Sequence, residues 1–335
     1  MNKIKLFCTI GPSSLNRKFL KFSSKLKIDL LRINLSHVEL HELTAIIKFI
    51  KKHTNTNICL DTEGAQIRTK TKIKKNFKKK QSGYISSSVN SKFSLYPNDV
   101  IKMLKKKDIL DIGFDGLKIQ INKIKKNKIQ FDTLSEGLLE NNKGVHLINR
   151  KIKLNYLTKK DFAAIEIAKK FKIKNYALSF TNGHNDIIKF KKILPKQNKI
   201  YKVETKDALK NFDKMLKYGD NFLIDRGDLS KDILIENIPI AQRYLISRTK
   251  KIKNKNVYVA TNFLESMIIK SEPTRAEVND IYNSLEMGAS GLVLAAETAI
   301  GKNPHKCVLF INKIYSNFIR NKKKELTSKF ISKIK

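Results

Sequence analysis

Hydrophobic and polar positions along this chain alternate between two regimes. Short runs that are apolar at almost every position, rich in Ile, Leu and Val, are separated by longer stretches whose apolar residues recur every three or four positions. The first pattern reads as strands buried on both faces, the second as amphipathic helices. The strand runs fall at 4–10, 28–34, 57–61, 174–180, 198–204, 221–225, 256–261 and 290–295. Helical stretches fall at 16–26, 39–52, 159–171, 185–193, 206–218, 234–251, 277–288 and 304–321, with start signals such as Thr158 before Lys159 and the pair Asn303-Pro304. Eight such alternations predict an α/β fold of the (β/α)8 TIM-barrel class, with a parallel sheet.

One interval breaks the rhythm. The stretch between the third and fourth strand runs have far more residues than a βα connection needs. Within it, about 71–155, short alternating segments such as Leu117-Lys118-Ile119-Gln120 and Lys128-Ile129-Gln130-Phe131 are punctuated by turn signals such as Gly113-Phe114-Asp115-Gly116. This predicts a small β-rich, β-barrel-like domain inserted after strand three. In a barrel such an insertion follows the C-terminal end of a strand, where it serves as a lid. The expected organisation is therefore barrel over 1–70, insertion over 71–155, barrel again over 156–322, and a polar tail over 323–335. The run Lys74-Lys75-Asn76-Phe77-Lys78-Lys79-Lys80 reads as a solvated face or loop.

Composition changes the picture less than it first suggests. The net charge of +39 invites a nucleic-acid reading, but only nine of the 69 basic residues are Arg and the Lys are spread from end to end. A binding stripe would be localised, Arg-rich and interleaved with aromatics, so nucleic acid is not the expected partner. Cys8, Cys59 and Cys307 sit in or beside apolar runs without C-x-x-C spacing, which argues against a zinc site or disulfide framework and for a reducing compartment. The apolar stretch Leu6 to Ile10 is too short for a signal-peptide core or a membrane span. A cytoplasmic location with no membrane partner is expected.

The ends of the predicted strands carry the chemistry, because barrel sites lie at the C-terminal ends. They run into Thr9, then Arg32-Ile33-Asn34-Leu35-Ser36-His37, then Asp61-Thr62-Glu63-Gly64, then Ser179, Lys202-Val203-Glu204, Arg226-Gly227-Asp228, Thr261 and Glu297-Thr298. Lys202 and Glu204, two apart on a strand, share one face, and Asp228 joins them from the next strand. One lysine and two hard carboxylates fit a divalent cation such as Mg²⁺ together with a transferring phosphoryl group. Neither a G-x-x-x-x-G-K-[ST] loop nor a G-x-G-x-x-G occurs, so phosphate contacts fall to Arg32, Arg68 and Lys202. Asn34, Ser36, Asp61 and Thr62 offer oxygen ligands and one negative charge, which suits a weakly held monovalent cation.

Read in order, these segments resemble the pyruvate kinase family. Cys8-Thr9-Ile10-Gly11-Pro12-Ser13-Ser14 is similar to its opening strand, Arg32-Ile33-Asn34-Leu35-Ser36-His37 to its R-x-N-x-S-H segment, and Asp61-Thr62-Glu63-Gly64 with Ile67-Arg68-Thr69 to its D-T-K-G-P-E-I-R-T. Lys202-Val203-Glu204-Thr205 resembles K-I-E-N, Arg226-Gly227-Asp228-Leu229 resembles R-G-D-L-G, and Pro273-Thr274-Arg275-Ala276-Glu277 matches P-T-R-A-E. In the insertion, Asp115-Gly116-Leu117 and Lys143-Gly144-Val145 resemble lid-domain motifs. The resemblance covers about residues 3–320 in collinear order.

What it implies is phosphoryl transfer from phosphoenolpyruvate to ADP, giving pyruvate and ATP in glycolysis. Carried over by position, Glu204 and Asp228 hold Mg²⁺ or Mn²⁺, and Lys202 stabilises the phosphoryl group. Arg32 contacts the phosphate, while Asn34, Ser36, Asp61 and Thr62 form the K⁺ site. Thr261 serves the enolate, Ser179 lies in the substrate pocket, and the amides around Gly227 and Asp228 receive the substrate carboxylate. Asn34, His37, Arg68 and Lys143 are implied on the nucleotide side.

Several positions depart from the family pattern. Glu63 stands where the family has Lys, Ala65 where it has Pro, and Gln66 at a position tied to K⁺ dependence, which leaves that dependence open. Tyr201 replaces a small residue before the lysine, Asp225 replaces Ala before Arg-Gly-Asp, and Ala295-Ala296 replaces Ser-Gly before Glu297-Thr298. The chain ends after the eighth predicted helix, so the family's C-terminal regulatory domain and its sugar-phosphate activation are not expected. A homo-oligomer through barrel contacts near Pro273-Thr274-Arg275 is carried over from the family. The alternative is a catalytically impaired relative that binds an acidic partner or RNA.

Overall fold

The computed structural model describes residues 4–322 apart from 27, 65, 89–90, 114–115, 126–127 and 153. The tail expected over 323–335, Ala65, and Phe114 and Asp115 of the expected turn and lid motif lie outside the described residues. The chain divides into two compact units, one formed by residues 1–64 with 159–335 and the other by 65–158.

In the first unit the uniformly apolar runs become strands β1 (Lys5–Thr9), β2 (Leu30–Asn34), β3 (Asn57–Asp61), β4 (Asn175–Leu178), β5 (Asn198–Val203), β6 (Asn221–Asp225), β7 (Asn256–Ala260) and β8 (Gly291–Leu294). They close into a barrel in the order β1-β8-β7-β6-β5-β4-β3-β2, every pairing parallel. Helices α1 (Arg17–Lys25), α2 (Leu40–His53), α3 (Lys159–Lys170), α4 (His184–Ile193), α5 (Lys206–Tyr218), α6 (Ile238–Lys250), α7 (Arg275–Met287) and α8 (Pro304–Lys322) alternate with them. The expected (β/α)8 barrel is the observed fold. Polar residues set the helix starts: Asn16 accepts from the Phe19 amide at 2.9 Å, Thr205 from that of Ala208 at 3.1 Å, and Thr274 forms a capping box with Glu277. Gly288 ends α7 at φ +104°, a conformation that costs glycine little.

Phe7, Leu30, Cys59, Ala177, Ile200, Leu223, Tyr258, Ala260 and Val293 form one buried cluster drawn from all eight strands. Only the barrel interior is common to every strand, so these residues are its apolar plug, with Ala260 at the upper edge where the next layer begins. Side chains alternate faces along a strand, and the next inward positions are therefore two residues on: Thr9, Arg32, Asp61, Ser179, Lys202, Asp225, Ala260 and Ala295. The register that builds the plug thus stacks a largely polar layer on its C-terminal side.

The second unit holds a seven-stranded sheet in the order Ser82–Ser86, Lys128–Thr133, Leu117–Lys125, Ile109–Ile112, Gly144–Leu147, Ile67–Thr71 and Phe93–Tyr96. Gly137–Leu139 pairs separately with Lys75–Phe77. Its own core includes Ile85, Leu95, Leu110, Ile119, Ile121 and Phe131. Ile67–Thr71, grouped with the barrel by sequence up to residue 70, pairs here with Phe93–Tyr96 and Gly144–Leu147, so this unit begins nearer β3 than residue 71. The lysine run at 74–80 contains a short strand: Phe77 is buried against Phe131, with ring centroids 5.9 Å apart, while the flanking lysines are exposed. Among the described residues, no helix is long and apolar enough to cross a membrane.

Candidate active site

The polar layer is held by ionic contacts between strand ends. Lys202 Nζ lies 2.8 Å from Glu204 Oε1, 3.3 Å from Asp225 Oδ2 and 3.4 Å from Asp61 Oδ2, and donates to Ser179 Oγ at 3.2 Å. Arg32 Nε donates to Asp61 Oδ2 at 2.6 Å and Nη1 to Thr9 Oγ1 at 3.1 Å. Ser179 Oγ donates to Asp61 Oδ1 at 3.2 Å. Lys202, Glu204, Asp61 and Asp225 are all buried, so these pairs sit where water screens them little.

Burial opposes the charges of Arg32 and Lys202, yet both are raised above their ordinary pKa values, because Asp61 and Asp225 stabilise the first and Asp61, Glu204 and Asp225 the second. Lys202 is a fixed cation. Glu204 goes the other way. Its burial, reinforced by the neighbouring charges of Asp225 and Asp228, outweighs Lys202 and pushes its carboxyl up to about 8. Burial would raise Asp225 too, but Lys202 and Arg32 hold its carboxyl below the usual range.

Glu204, Asp225 and Asp228 each place a carboxylate oxygen within 4.8 Å of the others. Glu204 Oε1 is buried and, although close to Lys202, lacks a well-directed hydrogen bond, while Oε2 accepts the Phe180 amide at 2.5 Å. Hard oxygen donors crowded in a buried site, one of them under-coordinated, fit a divalent cation such as Mg²⁺ or Mn²⁺. Asp228 is the most accessible of the three and also pairs with Lys231 at 2.7 Å.

The remaining sequence-selected residues divide into three groups. Asn34 and Asp61 are register partners at the ends of β2 and β3, which brings Asn34, Ser36, Asp61 and Thr62 to neighbouring strand ends. Their oxygens already serve the protein: Asn34 Oδ1 accepts the Ser36 amide at 3.0 Å and Thr62 Oγ1 that of Ser179 at 3.0 Å. His37 is exposed in the turn that follows. Beyond β7, Thr261 adopts φ +73° and its Oγ1 accepts the Gly227 amide at 2.9 Å. Glu297 holds that turn, taking the Phe263 and Leu264 amides at 3.2 Å each on Oε1 and the Ala295 amide at 2.7 Å on Oε2. Arg68 and Lys143 belong to the second unit, where Arg68 Nη1 donates to Asn142 O at 3.0 Å and Lys143 pairs with Glu140 at 3.1 Å.

One residue gains importance only from the structure, and a second acquires its place there. Asp161, wholly buried in the first turn of α3, accepts the Glu63 amide at 2.7 Å and the Gly64 amide at 3.1 Å, which fixes the turn after Asp61 and Thr62. No local motif marks it, because its partners are a hundred residues away. Asp225 was legible as a departure, and counting two residues on from Leu223 puts it in the polar layer. Tyr201, another departure, points to the opposite face from Lys202 and packs against Phe190 and Phe222, with centroids 6.4 and 5.9 Å away.

A family model described as pyruvate kinase, barrel domain, matches residues 1–308. The pyruvate kinase of Thermotoga maritima is 30% identical over 94% of this chain and 70% of its own length, and that of Thermococcus litoralis 30% identical over 93% and 69%. The pyruvate kinase of Staphylococcus haemolyticus is 31% identical over 92% of this chain, which spans 56% of that protein. Collinear matching on this scale, on a closed parallel barrel with its charged layer at the strand ends, establishes that the chain belongs to the pyruvate kinase family.

Proposed function

We propose that the chain transfers the phosphoryl group of phosphoenolpyruvate to ADP in a divalent-cation-dependent reaction, giving pyruvate and ATP. The observation that carries this reading is Lys202, a buried and permanently charged ammonium held among Asp61, Glu204 and Asp225 beside a cluster of hard carboxylates. Such a cation cannot act as a base near neutrality. It can neutralise charge on the equatorial oxygens of a phosphoryl group in flight, the main demand of this transfer.

Glu204 and Asp228 would hold Mg²⁺ or Mn²⁺, which when bound neutralises phosphate charge and orients the substrate oxygens. Arg32, braced by Asp61 and Thr9, presents a rigid guanidinium to the phosphate. Thr261 positions its hydroxyl at the site of the enolate, with Gly227 N–H fixing the oxygen. Ser179 orients Lys202, and the amides of Gly227 and Asp228, once released from Thr261 Oγ1 and the Asp225 carboxylate, would take the substrate carboxylate. Asn34 and His37 belong to the nucleotide side of the same proposal, with K⁺ at Asn34, Ser36, Asp61 and Thr62. Cys8, Cys59 and Cys307 are free and buried, which supports a reducing, cytoplasmic setting.

Lactate-dehydrogenase-coupled turnover with phosphoenolpyruvate, ADP and Mg²⁺, run with and without K⁺, tests the reading. Pyruvate formation above that of the Lys202→Met variant is expected. Equal rates for the two proteins would refute it and favour a non-catalytic relative.

A further inference from the structure

Asp225 closes β6, and the register that turns Leu223 into the apolar plug turns Asp225 into the layer above. Its side chain is 5% exposed, its Oδ2 lies 3.3 Å from Lys202 Nζ, and it shares the 4.8 Å cluster with Glu204 and Asp228. Charge points the same way. Within the buried set, the two cations Arg32 and Lys202 are faced by three carboxyl groups, Asp61, Glu204 and Asp225. Asp228, shared with Lys231, adds another at the rim, beside a Glu204 Oε1 that lacks a directed hydrogen bond.

We propose that Asp225 is a third carboxylate ligand of the divalent cation, so that the protein holds the ion before substrate arrives. This rests on the reading of Glu204 and Asp228 as the cation's ligands. Mg²⁺ ordinarily relies on one or two carboxylates and on substrate phosphate oxygens. A third protein oxygen replaces one coordinated water and makes the ion a resident of the metal-binding site. The competing role for Asp225, a counter-ion of Lys202 alone, leaves the ion's hydration unchanged.

Mn²⁺ serves as the probe, without phosphoenolpyruvate or ADP. Electron paramagnetic resonance of the free ion gives Kd, and water-proton relaxation gives the number of exchangeable waters on the bound ion. Asp225→Ala is expected to weaken Mn²⁺ binding by at least about 10-fold and to add one exchangeable water. An unchanged hydration number overturns the proposal, whatever happens to Kd. Glu204→Gln separates the two levels of the argument. If Glu204→Gln weakens binding but Asp225→Ala leaves hydration as it was, only the Asp225 role fails; if neither variant alters Mn²⁺ binding, the cation site itself fails. Should Asp225→Ala not fold, a crystal structure of the wild-type chain grown with Mn²⁺ decides, with an Asp225 oxygen in the inner sphere expected and one outside it contradicting the proposal.

Discussion

Two layers inside one barrel, built on the same strands and only two residues apart, have opposite physics. The plug of Phe7, Leu30, Cys59, Ala177, Ile200, Leu223, Tyr258 and Val293 is held by burial and packing, which are non-directional and tolerate exchange of one apolar side chain for another. The layer above it, Thr9, Arg32, Asp61, Ser179, Lys202 and Asp225, is held by directed ionic contacts, and removing one member strands the rest. Stability can be drawn from the lower layer while the upper one is spent on chemistry. On β7 and β8 the upper positions are Ala260 and Ala295, the smallest side chains of the layer, beside the turn that carries Thr261.

The comparison breaks most sharply at Lys202. Lys202→Met should lower kcat by about 10³-fold, the upper range for losing one preorganised electrostatic group, as read in steady-state turnover. Asp161→Ala comes next: it strips two buried amides of their acceptor, and urea titration should show a loss of about 3 kcal/mol. In the plug, Val293→Ala should cost about 2 kcal/mol in the same titration, while Mn²⁺ affinity moves by no more than about twofold. An equal loss of Mn²⁺ affinity would show that the two layers are not separable.

The smallest effect concerns protons. Burial pushes the Glu204 carboxyl up to about 8, so below that pH a cation must displace a proton to use it. Mg²⁺ affinity measured by calorimetry should therefore rise about tenfold from about pH 7 to about pH 9 and flatten above, with proton release at the lower pH. Affinity that falls across this range would contradict the assignment of Glu204.

The barrel was legible in the chain because strands buried on both faces leave unbroken apolar runs, and helices such as α5 carry their own caps. Lys202 and Glu204 were legible because a period of two puts them on one face whatever the tertiary context. Asp161 was not, since its role depends on amides of Glu63 and Gly64 that only folding brings to it. Nor was the orientation of Tyr201, which looks like a neighbour of the site in sequence and lies on the far side of the strand. The inserted unit was legible as β-rich, but its start was blurred because Ile67-Arg68-Thr69 continues the polar end of β3 without a turn signal strong enough to divide them.

Phosphorus NMR of the wild-type chain with phosphoenolpyruvate, ADP and Mg²⁺ tests the central claim most directly, because it follows where the phosphoryl group goes. The account predicts that the phosphoenolpyruvate signal is replaced by the three resonances of ATP, and that this stops when Mg²⁺ is chelated or Lys202 is replaced by Met. Persistence of phosphoenolpyruvate, or its conversion to inorganic phosphate without ATP, would contradict it.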